Sequence, residues 1–227
     1  MSTKDRRVFT QDRTRRLGRR LLQLGAGLVL FGVSSGLLVR AGLGLEPWGV
    51  LHQGLARLTG LTIGRVSIIV GAAVLLLWIP LRQRPGLGTV CNVFVVGLAM
   101  DGTLSVTPAV HGLVPQGSLL LAAVVLNGAA TGLYIAARFG PGPRDGLMTG
   151  LHRRTGRSVR LTRTVLEAAV VATGFALGGA VGVGTLLYAV CIGPLAQFFL
   201  RVFAVPEPAA GSTAVAGRSP EAAILRP

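Results

Sequence analysis

Charge is scarce in this sequence. Only 14% of its 227 residues are Asp, Glu, Lys or Arg, where a soluble domain is nearer a quarter. A fold solvated by water on all sides is thereby excluded. Acid is scarcer still, with eight Asp and Glu against 23 Lys and Arg. Four of the eight fall in the first 20 or the last 24 residues, which leaves Glu46, Asp101, Asp145 and Glu167 within the body of the chain. The two cysteines, Cys91 and Cys191, both lie inside apolar runs. That excludes a disulfide framework and leaves them as small apolar filler. His52, His111 and His152 are scattered, so no metal site is expected. No nucleophile elbow, phosphate loop or zinc spacing occurs. No catalytic residue and no cofactor are assigned, and the chain is read as not an enzyme.

Apolar sequence is abundant. The mean hydropathy is +0.63. Six runs approach or exceed the roughly 17 to 25 residues that one bilayer span requires. They cover residues 21–39, 61–81, 87–104, 118–136, 159–181 and 185–203. The expectation is an all-α, polytopic membrane helix bundle. A cleavable signal peptide is not expected, because the basic leader is long and the first run lacks a small-residue cleavage site. The formal net charge of +15 raises nucleic acid as a partner. The arginines cluster at span ends, however, and that placement argues for membrane topology instead.

The chain repeats itself at an offset of 96 residues. The anchor is the Gly-, Pro- and Arg-rich stretch 138–167, which runs into an apolar helix. Gly44, Pro47 and Leu51 match Gly140, Pro143 and Leu147 without a gap. Gly54-Leu55, Arg57 and Thr59-Gly60 match Gly150-Leu151, Arg153 and Thr155-Gly156. Outside this core, Gly32 and Gly36 meet Gly128 and Gly132, and Gly86-x-Gly-Thr89 meets Gly182-x-Gly-Thr185. Such self-similarity marks a duplicated unit. The units are residues 21–107 and 116–203, each with three spans. A basic cytoplasmic leader, 1–20, precedes them, and a disordered cytoplasmic tail, 204–227, follows.

Orientation follows from the arginines. With the amino terminus inside, the leader, the link between spans two and three, and the link between spans four and five hold eight, two and six basic residues, the last count including Arg160 in the first turn of span five. The outer links hold Arg40 and Arg57, with Arg65 just inside span two. This fits the positive-inside rule, and anionic lipid headgroups would attract the leader. An odd number of spans per unit inverts the second relative to the first. Inverted three-plus-three repeats recur among secondary transporters, with the site at the repeat interface. Short interfacial helices are expected after spans one and four. In the first, Trp48, Leu51, Leu55 and Leu58 form the apolar face, with His52 and Arg57 off it.

Ionisable groups at membrane depth are expensive and mark functional positions. Arg163 and Glu167 stand four apart on one helix face, which suits either an ionic solute or a helix-end anchor. Arg144-Asp145 follows the turn Gly-Pro-Gly-Pro, and its counterpart is Trp48-Gly49 beside Glu46-Pro47. Glu46, Trp48, Asn92 and Asp101 complete the substrate or gating candidates. Asn92 and Asn127 are read first as hydrogen-bond partners between helices rather than as ligands. The two Gly-x-Gly-Thr segments each open a helix, for an anion or simply for close packing.

The stretches RAGLGLEPW (40–48), QGLARLTGLTIG (53–64), WIPLRQRPGLGT (78–89) and GPGPRDGLMTGL (140–151) resemble the YczE-type bacterial integral membrane proteins, distant relatives of the YitT group. The resemblance spans about residues 20–203. It implies a multi-pass protein of the bacterial plasma membrane and names no catalytic residue. Some members are associated with secondary-metabolite production. The function expected is a small secondary transporter or exporter of an organic or anionic solute. The alternative is a non-transporting accessory or regulatory membrane protein. Homo-oligomerisation is left open.

Overall fold

The computed structural model describes residues 3–204, with side chains from Leu17 onward. The charged side chains of the leader before Leu17, and the tail from residue 205, where disorder is expected, lie outside the described residues. Within them the fold is all-helical: α1 (Thr3–Ala41), α2 (Pro47–Thr59), α3 (Ile63–Trp78), α4 (Leu87–Val106), α5 (Leu113–Ala136), α6 (Pro143–Thr155), α7 (Val159–Ala176) and α8 (Val183–Phe203).

The repeat in sequence is also a repeat in backbone. Helices open at Pro47 and Pro143, at Ile63 and Val159, and at Leu87 and Val183, each pair 96 residues apart. The local chemistry is shared. Proline opens α2 and α6, where its missing N–H costs nothing. Both end on glycine in the left-handed region, Gly60 at φ 71° and Gly156 at φ 67°. Thr62 and Ser158 then cap α3 and α7, accepting from Arg65 N at 3.3 Å and Leu161 N at 3.2 Å.

Four helices, Leu17–Ala41 within α1, α4, α5 and α8, are long and apolar enough to cross a bilayer. The count reaches five if α2 and α3, bent by 112° across their break, form one span. The stretches expected to span at 61–81 and 159–181 form the shorter α3 and α7. Proline at position 80 and the glycines at 178 and 179 stop regular helix there. Large apolar side chains such as Leu76, Leu98, Val190 and Phe198 point outward, as a lipid-facing surface requires.

Contacts fix helix directions. Gly32 of α1 meets Val96 and Ala99 of α4, and Gly36 meets Thr103, so α1 and α4 run parallel. Gly128 and Gly132 of α5 meet Leu195 and Phe199 of α8 in the same sense. The long helices α1 and α5 run antiparallel, because Gly27 lies against Tyr134 while Gly42 lies near Gln116. A Cβ at Gly36 would fall 2.9 Å from that of Thr103, so these glycines serve close helix approach.

The short helices cross between halves. Gly54 of α2 packs on Gly174 of α7 and on Leu177 just beyond its end, and Gly146 of α6 packs on the Trp78 ring of α3. This packing divides the expected apolar face of α2, burying Trp48 and leaving Leu58 outward. His52 is 2% exposed whereas Leu58 is 69% exposed, because the close approach at Gly54 turns the small-residue side inward. Trp48, expected at a lipid interface, is buried in a cluster with Val74, Trp78, Leu147 and Val170.

Candidate functional site

The two Gly-x-Gly-Thr turns are occupied by backbone. Gly88 N donates to Phe139 O at 2.9 Å, and Gly184 N donates to Leu43 O at 2.8 Å. Thr89 Oγ1 donates to Pro141 O at 2.7 Å. These contacts hold the entry loops of α6 and α2 against the other half's helix starts. They serve packing, and an anion finds no free amide at these two donors.

Above these seats the first turns of α2 and α6 face one cavity of about 330 Å³. Seven of the eight sequence candidates line it: Glu46, Trp48, Asn92, Arg144, Asp145, Arg163 and Glu167. The eighth, Asp101, lies elsewhere and has a structural task. Its carboxylate accepts from Thr62 Oγ1 at 2.5 Å and from Gly64 N at 2.8 Å. It therefore satisfies the open amides at the start of α3, where negative charge is favoured.

Each half lays one carboxylate over the first turn of its short helix, from exchanged positions. In Glu46-Pro-Trp-Gly49 the acid precedes the helix, and its carboxyl group covers Gly49, whose added Cβ would meet Glu46 Oε2 at 2.9 Å. In Gly142-Pro-Arg-Asp145 the acid lies inside the helix, and Asp145 Oδ2 would be 3.3 Å from a Cβ at Gly142. The side chain between them differs too. Trp48 and Arg144, 96 residues apart, meet face to face, with the guanidinium 5.2 Å from the indole centre. A cation over an indole is held by the ring quadrupole.

The partners divide unevenly. Asp145 Oδ2 accepts from Tyr134 Oη at 2.9 Å. Arg163 Nε donates to Glu167 Oε1 at 2.9 Å, with the two side chains 51% and 27% exposed. That pair forms the open rim. Glu46 is 3% exposed; the Ser35 hydroxyl lies beside its carboxyl group, but neither Oε2 nor Ser35 Oγ makes a hydrogen bond of normal geometry. Trp48 is 6% exposed, and its indole N–H has no acceptor. Among the described residues Arg144 donates no hydrogen bond and faces Trp48 and the field of Glu46.

Sequence reasoning missed the polar floor. His52, Tyr134 and Tyr188 line the cavity. Tyr188 Oη donates to Asn127 Oδ1 at 2.9 Å, and Asn127 Nδ2 donates to Ser34 Oγ at 2.8 Å. This buried chain joins α8, α5 and α1, the interhelical role expected of Asn127. Two tyrosines are all the sequence contains, and both sit at this site. Their rarity was the available signal.

Residues 18–201 match the family model described as "Family of unknown function (DUF6198)". An uncharacterized protein of Haemophilus influenzae is 42% identical over 177 residues, 78% of this chain and 81% of that protein. The uncharacterized membrane protein YczE of Bacillus subtilis is 34% identical over 178 residues, 77% of this chain and 82% of that one. The uncharacterized protein YyaS of Bacillus subtilis is 28% identical over 183 residues, covering 79% and 89%. No solved structure matches.

Proposed function

We propose a transport function for this chain, which belongs to the YczE-type membrane proteins of the family described as DUF6198. In this reading it is a small secondary transporter of an organic solute in the bacterial plasma membrane. One observation carries it: charged groups from both halves converge on a single cavity where equivalent positions 48 and 144 touch. Membrane transporters place their sites at such repeat interfaces, between short or broken helices.

The halves α1–α4 and α5–α8 are read as inverted repeats. The parallel pairs α1/α4 and α5/α8, with α1 antiparallel to α5, favour that reading. The pairs α2–α3 and α6–α7 then act as broken spans, which gives six crossings rather than six uniform helices. Non-helical backbone at membrane depth is tolerated where it lines a cavity, as at Glu46 and Gly142.

In this reading both termini are cytoplasmic. The end of the bundle bearing the start of α1 carries Arg19, Arg20, Arg82, Arg84, Arg138, Arg153, Arg154, Arg157 and Arg201. The other end carries Arg40, Arg57 and Arg65. The cavity is lined by Asn92 and Val93 early in α4, by Thr131 and Ile135 late in α5, and by Leu200 near the end of α8. Its mouth thus lies on the arginine-rich side, an inward-facing state.

Flux is the test. Protein purified into liposomes should take up or exchange a solute found by comparing the metabolites of deletion and wild-type cells. Protein that moves none of those solutes, yet co-purifies stably with a soluble enzyme or sensor, would establish the accessory role instead.

A further inference from the structure

The cavity's polar groups separate into those already satisfied and those waiting. Tyr134 holds Asp145, and Arg163 holds Glu167. Three of the remaining groups bear on a charged ligand. Glu46 Oε2 is a buried acceptor whose neighbouring hydroxyl, Ser35 Oγ, makes no hydrogen bond of normal geometry, and the Trp48 indole N–H is a buried donor without an acceptor. The Arg144 guanidinium rests on the Trp48 ring and donates no hydrogen bond among the described residues. Buried polar groups normally find partners, and leaving one unmade costs more than making it gains.

We infer that the cavity is built for a small zwitterion whose carboxylate and ammonium lie close together, as in an α-amino acid. This rests on the transport reading above and gives it a substrate class. The carboxylate accepts from Arg144 and from the indole of Trp48, and the ammonium donates to Glu46. Arg144 stands among the carboxylates of Glu46 and Asp145, so a ligand without net charge leaves the charge of a low-dielectric site as it is. An organic anion would satisfy the donors and leave Glu46 bare. An organic amine would do the reverse. The volume of about 330 Å³ lies at the small end of ligand pockets. Val70, Val74 and Ile192 supply apolar wall for the rest of the molecule.

The experiment uses the full chain in lipid nanodiscs. Each of the twenty standard L-amino acids is titrated singly by calorimetry. Whichever binds is repeated as its N-acetyl derivative and as its decarboxylated amine. Saturable binding of at least one amino acid is expected, with both analogues weakened by about tenfold to a hundredfold, the cost of one charged hydrogen bond. Trp48→Phe keeps the ring, loses the N–H and should weaken binding by about tenfold. Glu46→Gln should erase the preference over the N-acetyl form. Size-exclusion profiles check that both variants fold, and the analogue series decides if either does not. Absence of binding by all twenty, or an analogue that binds as well as its parent, overturns the inference. Liposome flux separates the two claims. Binding with this preference but no flux keeps the zwitterion site and retires transport. Flux of an acid or amine lacking the second group keeps transport and retires the zwitterion.

Discussion

At the scale of single residues, the two acids that look alike in sequence divide by task. Asp101 caps α3 through Thr62 and Gly64, so Asp101→Asn should lower stability by about 2 kcal/mol and leave flux per folded molecule unchanged. Melting in detergent alongside liposome uptake checks both halves of that statement. Glu167 has only Arg163 at the cavity rim. Glu167→Gln should abolish uptake while expression and melting stay near normal. Wild-type behaviour of this variant in the deletion phenotype would remove the pair from the pathway. Ionisable residues were legible from sequence, because so few acids occur in so apolar a chain. Their sorting was not legible: Asp101 lies in an apolar run like any site residue, and only the start of α3 beside it shows what it does. His52 was read only as off the apolar face, and its burial was not foreseen for a related reason. Its burial depends on Gly54 meeting Gly174, 120 positions away, which no local periodicity encodes.

At the scale of elements, glycine decides how close helices come. Gly146 lies against the Trp78 ring, and Trp78 Nε1 donates to Pro143 O at 3.1 Å. A methyl at 146 would overlap the indole. Gly146→Ala should therefore cost about 1–3 kcal/mol through overpacking, read as a fall in melting temperature. Gly102 has nothing within 4 Å of its added Cβ, so Gly102→Ala should be neutral or stabilise α4 by up to about 1 kcal/mol. Destabilisation by both changes would show that the fall is a general effect of altering glycine. The element boundaries were largely legible, since the 96-residue offset carries caps, prolines and terminal glycines together. Lengths were less so. Hydropathy runs on through residues 79–81 and 177–181 after regular helix has ended, and an apolar window does not register a helix stop.

At the scale of the whole molecule, orientation is the open quantity with the simplest measurement. A cysteine at position 111, on the link between α4 and α5, should react with a membrane-impermeant maleimide from outside intact cells, in a background where Cys91 and Cys191 are replaced. Labelling from inside only would reverse the proposed topology. In the proposed inverted repeat, the contact between Trp48 and Arg144 joins two equivalent positions. Two separate, identical chains related by a two-fold axis present the same side chain twice wherever a residue meets its own counterpart. Such a homodimer sets indole on indole or guanidinium against guanidinium there, and it can never hold a cation on a ring at that point. Joining both copies in one gene frees the two positions to drift apart. Under the proposed inverted-repeat reading, the asymmetric centre of this cavity is a contact that two identical, unfused copies could not make.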